Sequence, residues 1–271
     1  MRPIRTIAML PTMFTLGNLA CGFFAIVIAS RIGLPKPDIV DPADLENCMI
    51  SAWLIFLAMV FDALDGYVAR LSRTASDFGA ELDSLCDVVT FGVAPAFLLV
   101  KMCPQFAIVH KDTVWIIAAS YAMCAAVRLA RFNIETSDDD EHLHFSGLPS
   151  PAAAAAIAGF AILFHTLHKG DAEPVDTTRI DVILQTILPF FAVLVALLMV
   201  SRIPYPHVVN QVFRGQRTFG HLVAVIFTLV AVLVVRGYAV AIVFGAFAVY
   251  GPIRLAWERI VQRRRREESL F

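Results

Sequence analysis

The sequence predicts an all-α integral membrane protein, a polytopic bundle of about eight transmembrane helices with both termini in the cytoplasm. Hydrophobic residues make up 58% of the 271 residues and charged residues only 17%, whereas soluble domains carry closer to a quarter charged residues. Apolar stretches long enough to span a membrane, at roughly 20 residues each, recur along the whole chain. They lie at about 10–30, 48–72, 79–103, 113–132, 151–168, 179–201, 217–236 and 237–258.

The distribution of positive charge predicts the orientation. Lys and Arg concentrate in cytoplasmic loops of membrane proteins, and 15 of the 22 here fall at the end of the bundle that carries the termini. These are Arg2, Arg5, Arg70, Arg73, Arg128, Arg131, Arg202, Arg214, Arg217, Arg254, Arg259 and the run 263–266. We therefore expect a multi-pass protein of the cell (inner) membrane. The net charge of −1 gives no general basis for nucleic-acid binding.

The first predicted helix follows Arg2 and Arg5 as a signal peptide would, but its apolar stretch is long and lacks a convincing cleavage site. We expect a retained transmembrane helix. Its polar residues Thr15 and Asn18 are one turn apart and should point into the bundle. They face either a bound nucleotide or hydrogen-bond partners on other helices. The five cysteines follow no metal-binding or disulfide spacing, so they are expected to be small core residues.

Negative charge is concentrated where the second and third predicted helices meet, in the stretch "FDALDGYVARLSRTASDFGAELDSLCD" at 61–87. Helical periodicity places two sets of residues each on one face. The set on the second helix is Asp62, Asp65, Gly66, Ala69 and Arg70, and the set on the third is Gly79, Asp83 and Asp87.

The short connection at 73–78 predicts an antiparallel pair in which the four aspartates of these sets converge near the cytoplasmic end. An unpaired carboxylate costs several kcal/mol inside a membrane domain, so this convergence predicts a bound cation. Oxygen ligands without His or Cys favour Mg²⁺, Mn²⁺ or Ca²⁺ over zinc. Two such ions commonly clamp phosphate oxygens.

The small residues of the same faces fit a phosphate ligand. Gly66 and Ala69 leave room beside the helix, and Arg70 can bind phosphate oxygens through its planar guanidinium. Gly79 begins the facing helix, where backbone N–H groups and the helix dipole favour an anion. The stretch therefore predicts a site for a nucleotide diphosphate with its metal ions.

Two alternatives to a metal and nucleotide-diphosphate site remain open. The aspartates could cap helices and pair with Arg70 and Arg73, or they could line a proton or cation pathway. A transporter of that kind is expected to show related halves with acidic residues near mid-membrane in both. Beyond residue 170 the acidic residues lie only near predicted loops or the tail, which disfavours transport.

The pattern D-x2-D-G-x2-A-R-x8-G-x3-D-x3-D resembles the signature of the CDP-alcohol phosphotransferase family, and every fixed position is present. The resemblance implies a membrane helix bundle, commonly a homodimer, that transfers a phosphatidyl or similar group from a CDP-linked donor to an alcohol and releases CMP. It implies two divalent cations. Mg²⁺ or Mn²⁺ is the first expectation for these ions, and Ca²⁺ is the alternative. The implied metal ligands are Asp62, Asp65, Asp83 and Asp87, with Asp87 also the general base. The implied CDP-lipid site comprises Gly66, Ala69 and Arg70, to which we add Gly79, Thr15 and Asn18.

Three further segments resemble the branch of this family that uses CDP-diacylglycerol and L-serine. They are "LPTMFTLGNLACGFFAI" at 10–26, "RLARFN" at 128–133 and "FSGLPSPAAAA" at 145–155. We expect one membrane domain over 1–271, with a catalytic core at 1–172, additional helices at 173–258 and a basic cytoplasmic tail at 259–271. Glycerol 3-phosphate, an inositol phosphate or an archaeal ether lipid would keep the chemistry and change one substrate.

A serine acceptor needs a cation for its carboxylate. Arg128 and Arg131 are three residues apart at the cytoplasmic end of the fourth predicted helix, and Asn133 follows closely. Any of these can bind serine in a site that faces the cytoplasm. The alternative is that both arginines only anchor the helix on the cytoplasmic side.

Overall fold

The computed structural model describes residues 9–33, 41–72, 77–103, 111–137, 147–169, 177–203, 205 and 237–268. Every regular element in these ranges is helical. The helices are α1 (Met9–Ser30), α2 (Pro42–Ser72), α3 (Asp77–Asp87), a π-helical segment (Val88–Val93), α4 (Ala94–Met102), α5 (Lys111–Ser137), α6 (Ser150–Lys169), α7 (Thr177–Val200) and α8 (Gly237–Glu268).

Six helical stretches in the described ranges are long and apolar enough to cross a membrane, which confirms the all-helical membrane class. They are Pro11–Ser30, Pro42–Ala69, Phe78–Met102, Asp112–Ile134, Ser150–His168 and Val182–Val200. A shorter apolar stretch, Ala239–Leu255, lies in α8. The span predicted at 217–236 falls outside the described residues, so the structure supports six to seven spans where the sequence predicted about eight.

The second helix begins earlier than its hydropathy indicates. It was expected from about residue 48 but begins at Pro42, at a position where proline suits the first helical turn. The Asp41 side chain accepts a hydrogen bond of 2.9 Å from the Ala43 N–H and so caps the helix. The first turn is polar, and for that reason a hydropathy window does not detect it.

The third span is not one regular α-helix. It consists of α3, the π-helical segment and α4 in continuous succession. The π-helical segment begins directly after Asp87, and its Phe91 carbonyl accepts a hydrogen bond of 3.2 Å from the fully buried Tyr121 hydroxyl on α5. Such segments are often found at functional sites, and apolar periodicity alone did not indicate this one.

Small residues bring the helices close together in the middle of the bundle. Residues 153–159 of α6 are all buried, and this helix packs against α2, α7 and α8. A Cβ added at Gly159 would lie 3.0 Å from the Cα of Ala241, so α6 and α8 touch at backbone distance. In a lipid environment, close backbone packing of this kind is a principal source of helix association.

The outer surface of the bundle is apolar. Large exposed hydrophobic side chains include Phe23, Trp53, Ile116, Phe190 and Ile242, as expected where lipid replaces water. Four of the five cysteines are buried, Cys124 is partly buried, and all are free thiols. The prediction that they are core residues is therefore confirmed for Cys21, Cys48, Cys86 and Cys103.

Candidate active site

Three aspartates from α2 and α3 converge in the structure. One carboxylate oxygen each from Asp62, Asp83 and Asp87 lies within 4.8 Å of the others. Asp65 is only 4% exposed, and its carboxylate interacts with the Asp83 side chain. The four aspartates singled out by their spacing thus form one cluster, which we call the acidic cluster.

The acidic cluster is compatible with a divalent cation. Two ionised carboxylates whose oxygens lie within 4.8 Å of each other repel by at least about 3 kcal/mol at an effective dielectric constant of about 20. Asp65 Oδ2 and Asp83 Oδ1 are buried without a hydrogen-bond partner, although buried polar atoms in folded proteins are nearly always satisfied. Both facts are explained if these oxygens bind a hard cation, and the carboxylate-only ligand set suits one.

Helix α1 packs along both α2 and α3 and brings two polar side chains to the acidic cluster. The fully buried Asn18 donates a hydrogen bond of 2.9 Å from Nδ2 to Asp87 Oδ1. Thr15 donates to the Pro11 carbonyl at 3.1 Å, and its side chain also interacts with the Asp65 carboxylate. Both residues point into the bundle as the sequence predicts, and in the described structure they face the aspartates.

Arg128 on α5 borders the acidic cluster. Its Nη1 donates a hydrogen bond of 2.8 Å to the hydroxyl of Ser150, the fully buried first residue of α6. Asp87 and Asp62 both lie close enough to interact favourably with the guanidinium charge. Arg128 Nε is buried and has no hydrogen-bond partner, so this cation retains capacity to bind an anion beside Asp87.

The other two residues predicted to bind serine have different surroundings. Arg131 donates to the carbonyls of Val200 at 3.0 Å and Ser201 at 3.3 Å, at the C-terminal end of α7. Asn133 and Ser84 exchange hydrogen bonds of 2.9 and 3.1 Å between α5 and α3. These contacts connect helices, as the bond of Arg128 to Ser150 also does, but the guanidinium of Arg128 interacts with Asp87 and Asp62 as well.

The residues predicted to surround the diphosphate lie on the same two helices. Gly66 follows Asp65 and gives its backbone N–H to that carboxylate, and Ala69 is partly buried one turn further along α2. Gly79 is the third residue of α3, which begins at Asp77, two residues before the predicted start. The side chain of Arg70 lies outside the described part of the structure.

The arrangement combines the elements of a phosphoryl-transfer site. The acidic cluster can hold cations, Asp87 can accept a proton at a position fixed by Asn18, and Arg128 supplies a positive charge nearby. The sequence analysis did not predict that α1 contributes a hydrogen bond to Asp87, and it did not predict the π-helical segment. A polar pair one turn apart in an otherwise apolar helix was the available signal for the first.

Comparisons with known proteins agree with this chemistry. The sequence model of the CDP-alcohol phosphatidyltransferase family matches residues 8–198. The chain is 30% identical over 256 residues to a CDP-diacylglycerol–serine O-phosphatidyltransferase of Helicobacter pylori, and the aligned region covers 93% of each chain. It is 42% identical over 160 residues to a protein of the same name from Methanocaldococcus jannaschii, covering 59% of this chain and 65% of that protein. An archaetidylserine synthase of Methanothermobacter thermautotrophicus is 29% identical over 209 residues, covering 76% of this chain and 73% of that synthase.

Proposed function

Because the chain belongs to the CDP-alcohol phosphatidyltransferase family, we propose that it transfers the phosphatidyl group of CDP-diacylglycerol to the hydroxyl of L-serine. The products are phosphatidylserine and CMP, in phospholipid biosynthesis. The observation that carries this proposal is the position of Arg128 beside the acidic cluster. The names of the relatives from Helicobacter pylori and Methanocaldococcus jannaschii support serine as the acceptor.

The donor site is assigned to the faces of α2 and α3 that carry the acidic cluster. Asp62, Asp65, Asp83 and Asp87 would hold two divalent cations, Mg²⁺ or Mn²⁺ in preference to Ca²⁺. When bound, such ions neutralise the diphosphate oxygens and make CMP a better leaving group. The CDP-lipid would lie against Gly66, Ala69, Arg70 and Gly79, with Thr15 close to Asp65.

The acceptor is oriented by Arg128. Its guanidinium binds the serine carboxylate, because Ser150 fixes one end of the group while Nε remains available. The carboxylate and hydroxyl of serine are only a few ångströms apart, so the cation that binds one must lie near the base that activates the other. The interaction of Arg128 with Asp87 meets that requirement.

The transfer proceeds by direct attack of the alcohol. Asp87 accepts the hydroxyl proton as general base, and the serine oxygen forms a bond to the phosphatidyl phosphorus. The bond from that phosphorus to the oxygen bridging to the CMP phosphate breaks, and the electron pair leaves with CMP. Asn18 keeps Asp87 in place during the step.

The nearest alternatives keep this chemistry and change one substrate. Arg128 provides a single charge suited to one carboxylate, whereas glycerol 3-phosphate or an inositol phosphate carries a dianionic group that calls for additional cations. The similarity to an archaetidylserine synthase keeps an ether-lipid donor open. The catalytic core is assigned to residues 1–172. The protein is assigned as a homodimer that spans the inner membrane, with its active site facing the cytoplasm.

CMP release from CDP-diacylglycerol by the purified full-length protein tests the proposal. Serine, glycerol 3-phosphate and inositol are compared with Mg²⁺ or Mn²⁺ present and after chelation by EDTA. We expect serine to give the fastest release and EDTA to abolish it. Release that is unaffected by EDTA would remove the metal assignment, and no release with any alcohol would remove the enzyme assignment.

The variant Asp87→Asn tests the assigned base in the same assay. It should lower kcat by at least about 100-fold, since general bases contribute about 100- to 10,000-fold. The matched control is Asp44→Asn, which alters a carboxylate on α2 that binds the backbone N–H of Gly33. Comparable activity in the two variants would show that Asp87 is not the base.

A further inference from the structure

We propose that Asn18 is a positioning residue for Asp87, and that Thr90 in the π-helical segment keeps Asn18 beside Asp87 by a hydrogen bond to the backbone carbonyl of Asn18. The inference rests on the proposed function, which makes Asp87 the general base. It assigns α1 to the proton-transfer side of the site, whereas the sequence left nucleotide binding and hydrogen bonds to other helices both open for Asn18. Asn18 acts through Asp87 and does not itself need to touch a substrate.

The first observation is the direct contact. Asn18 is 0% exposed, and its Nδ2 lies 2.9 Å from Asp87 Oδ1. The opposite amide orientation would place Oδ1 against the carboxylate, so the bonded arrangement determines which way the amide points. An N–H bond to one carboxylate oxygen fixes the rotation of the group and therefore the direction of its remaining lone pairs.

The second observation is the unmatched acceptor of Asn18. Its Oδ1 is buried and has no hydrogen-bond partner. A buried asparagine that served packing alone would be expected to satisfy both ends of its amide, or to be replaced by an apolar residue of similar size. The amide pairs its N–H donor with Asp87 and leaves its oxygen unpaired, which indicates that the bond to Asp87 is the function of this side chain.

The third observation is the contact between α1 and the π-helical segment. Thr90 is fully buried three residues after Asp87 and donates a hydrogen bond of 3.3 Å to the backbone carbonyl of Asn18. One turn along α1, a Cβ on Gly22 would lie 2.9 Å from the Cα of Thr90. The missing side chain allows the two backbones to meet, so the carbonyl of Asn18 is held to the segment that follows Asp87.

These contacts form a closed loop of interactions. The side chain of Asn18 holds Asp87, and Thr90, in the segment directly after Asp87, holds the backbone of Asn18. Displacement of either helix along its axis would break both bonds at once. The π-helical segment thus serves to align the base with α1.

A double-mutant cycle tests the inference. Asn18→Leu, Asp87→Asn and the double variant are compared with the wild type, with kcat measured separately from KM for CDP-diacylglycerol and for serine. Asn18→Leu should lower kcat about 10- to 100-fold, as is usual for partners that orient a functional group, without raising KM for the donor. The double variant should be no slower than Asp87→Asn, because residues that act as a unit are not additive.

The same four proteins are measured for Mn²⁺ binding in the absence of substrate. Asn18→Leu should weaken Mn²⁺ binding when Asp87 is present and have no further effect when Asp87 is Asn. This readout does not depend on serine, so it still tests the inference if no alcohol releases CMP and the proposed function fails. An equal loss of Mn²⁺ affinity in both backgrounds would contradict it.

Hydroxyl variants provide a second test that leaves Asn18 in place. Thr90→Val should lower kcat several-fold, and Thr90→Ser should restore much of the loss because it retains the donor to Asn18. The matched control is Thr186→Val on α7, which removes a hydroxyl bonded only to the carbonyl four residues earlier. The inference is overturned by a raised KM for the donor with unchanged kcat in Asn18→Leu, or by equal activity of Thr90→Val and Thr90→Ser.

Discussion

At the scale of the residue, the surroundings of a charged group decide its role more than its position in the sequence. Arg128 and Arg131 are three residues apart on α5, yet the first borders the acidic cluster and the second binds two carbonyls at the end of α7. A cation near the C-terminal end of a helix stabilises it through the helix dipole. The two arginines should therefore fail in different ways when they are altered.

Substitution at Arg128 should affect the acceptor. Arg128→Ala should raise KM for serine by about 10- to 100-fold, because a charged hydrogen bond is worth about 1.5–3 kcal/mol. Arg128→Lys should recover only part of the loss, since an ammonium lacks the planar fork. Steady-state kinetics with serine varied at saturating donor measure this. Arg131→Ala should lower the melting temperature instead, and a larger change in serine KM in this variant than in Arg128→Ala would reverse the assignment.

At the scale of the element, α1 is the helix on which the geometry of the site depends. It packs along α2, α3, α4 and the π-helical segment, and the buried Ser51 hydroxyl on α2 donates 2.9 Å to its Ala25 carbonyl. It makes its closest approach at Gly22, where the backbone of Thr90 takes the space of a side chain. A methyl group there would meet the hydroxyl of Thr90 and also its Cα at 2.9 Å, and the Cα cannot move aside without shifting the segment.

Gly22→Ala should therefore push α1 away from the π-helical segment and weaken the contact between Asn18 and Asp87. We expect reduced kcat together with a lower melting temperature. The control is Gly245→Ala on α8, where an added Cβ meets nothing within 4 Å. That change should leave CMP release unchanged and stabilise the helix by up to about 1 kcal/mol. Equal activity of the two variants would show that the close approach at Gly22 is dispensable.

At the scale of the whole molecule, the C-terminal half supports the N-terminal site through the chain segment before α6. Gly147 has a φ of +95°, in the region that favours glycine. Its N–H donates 2.9 Å to the Ile203 carbonyl, and the Leu148 N–H donates 3.0 Å to the Leu198 carbonyl. These bonds to the end of α7 fix the start of α6, where Ser150 holds Arg128.

Gly147→Ala should disturb the acceptor site from a distance. A Cβ would lie 2.9 Å from the Ser201 carbonyl oxygen, and the backbone strain adds about 1–3 kcal/mol. We expect a lower melting temperature and a raised KM for serine with little change in KM for CDP-diacylglycerol. Kinetics with each substrate varied in turn measure the split. An equal rise in both KM values would argue for general loss of structure.

Features that depend on residues close together in the sequence could be predicted, whereas contacts between residues far apart in the sequence could not. The convergence of Asp62, Asp83 and Asp87 could be predicted because helical periodicity and a short connection are local features. The contact of Asn18 with Asp87 joins residues 69 positions apart, and no local pattern encodes it. The distinction between Arg128 and Arg131 likewise depends on where α7 ends. The π-helical segment has the composition of an ordinary apolar helix, so composition could not identify it.

The alanine-rich middle of α6 has a consequence for conformational entropy. Alanine loses no rotamer freedom when it is buried, and residues 153–156 are four consecutive buried alanines. These four positions are therefore buried at the cost of backbone entropy alone, without the side-chain entropy that four leucines would lose. The neighbouring helices pack against a surface whose shape does not depend on side-chain rotamers, so their positions around the site are fixed relative to α6.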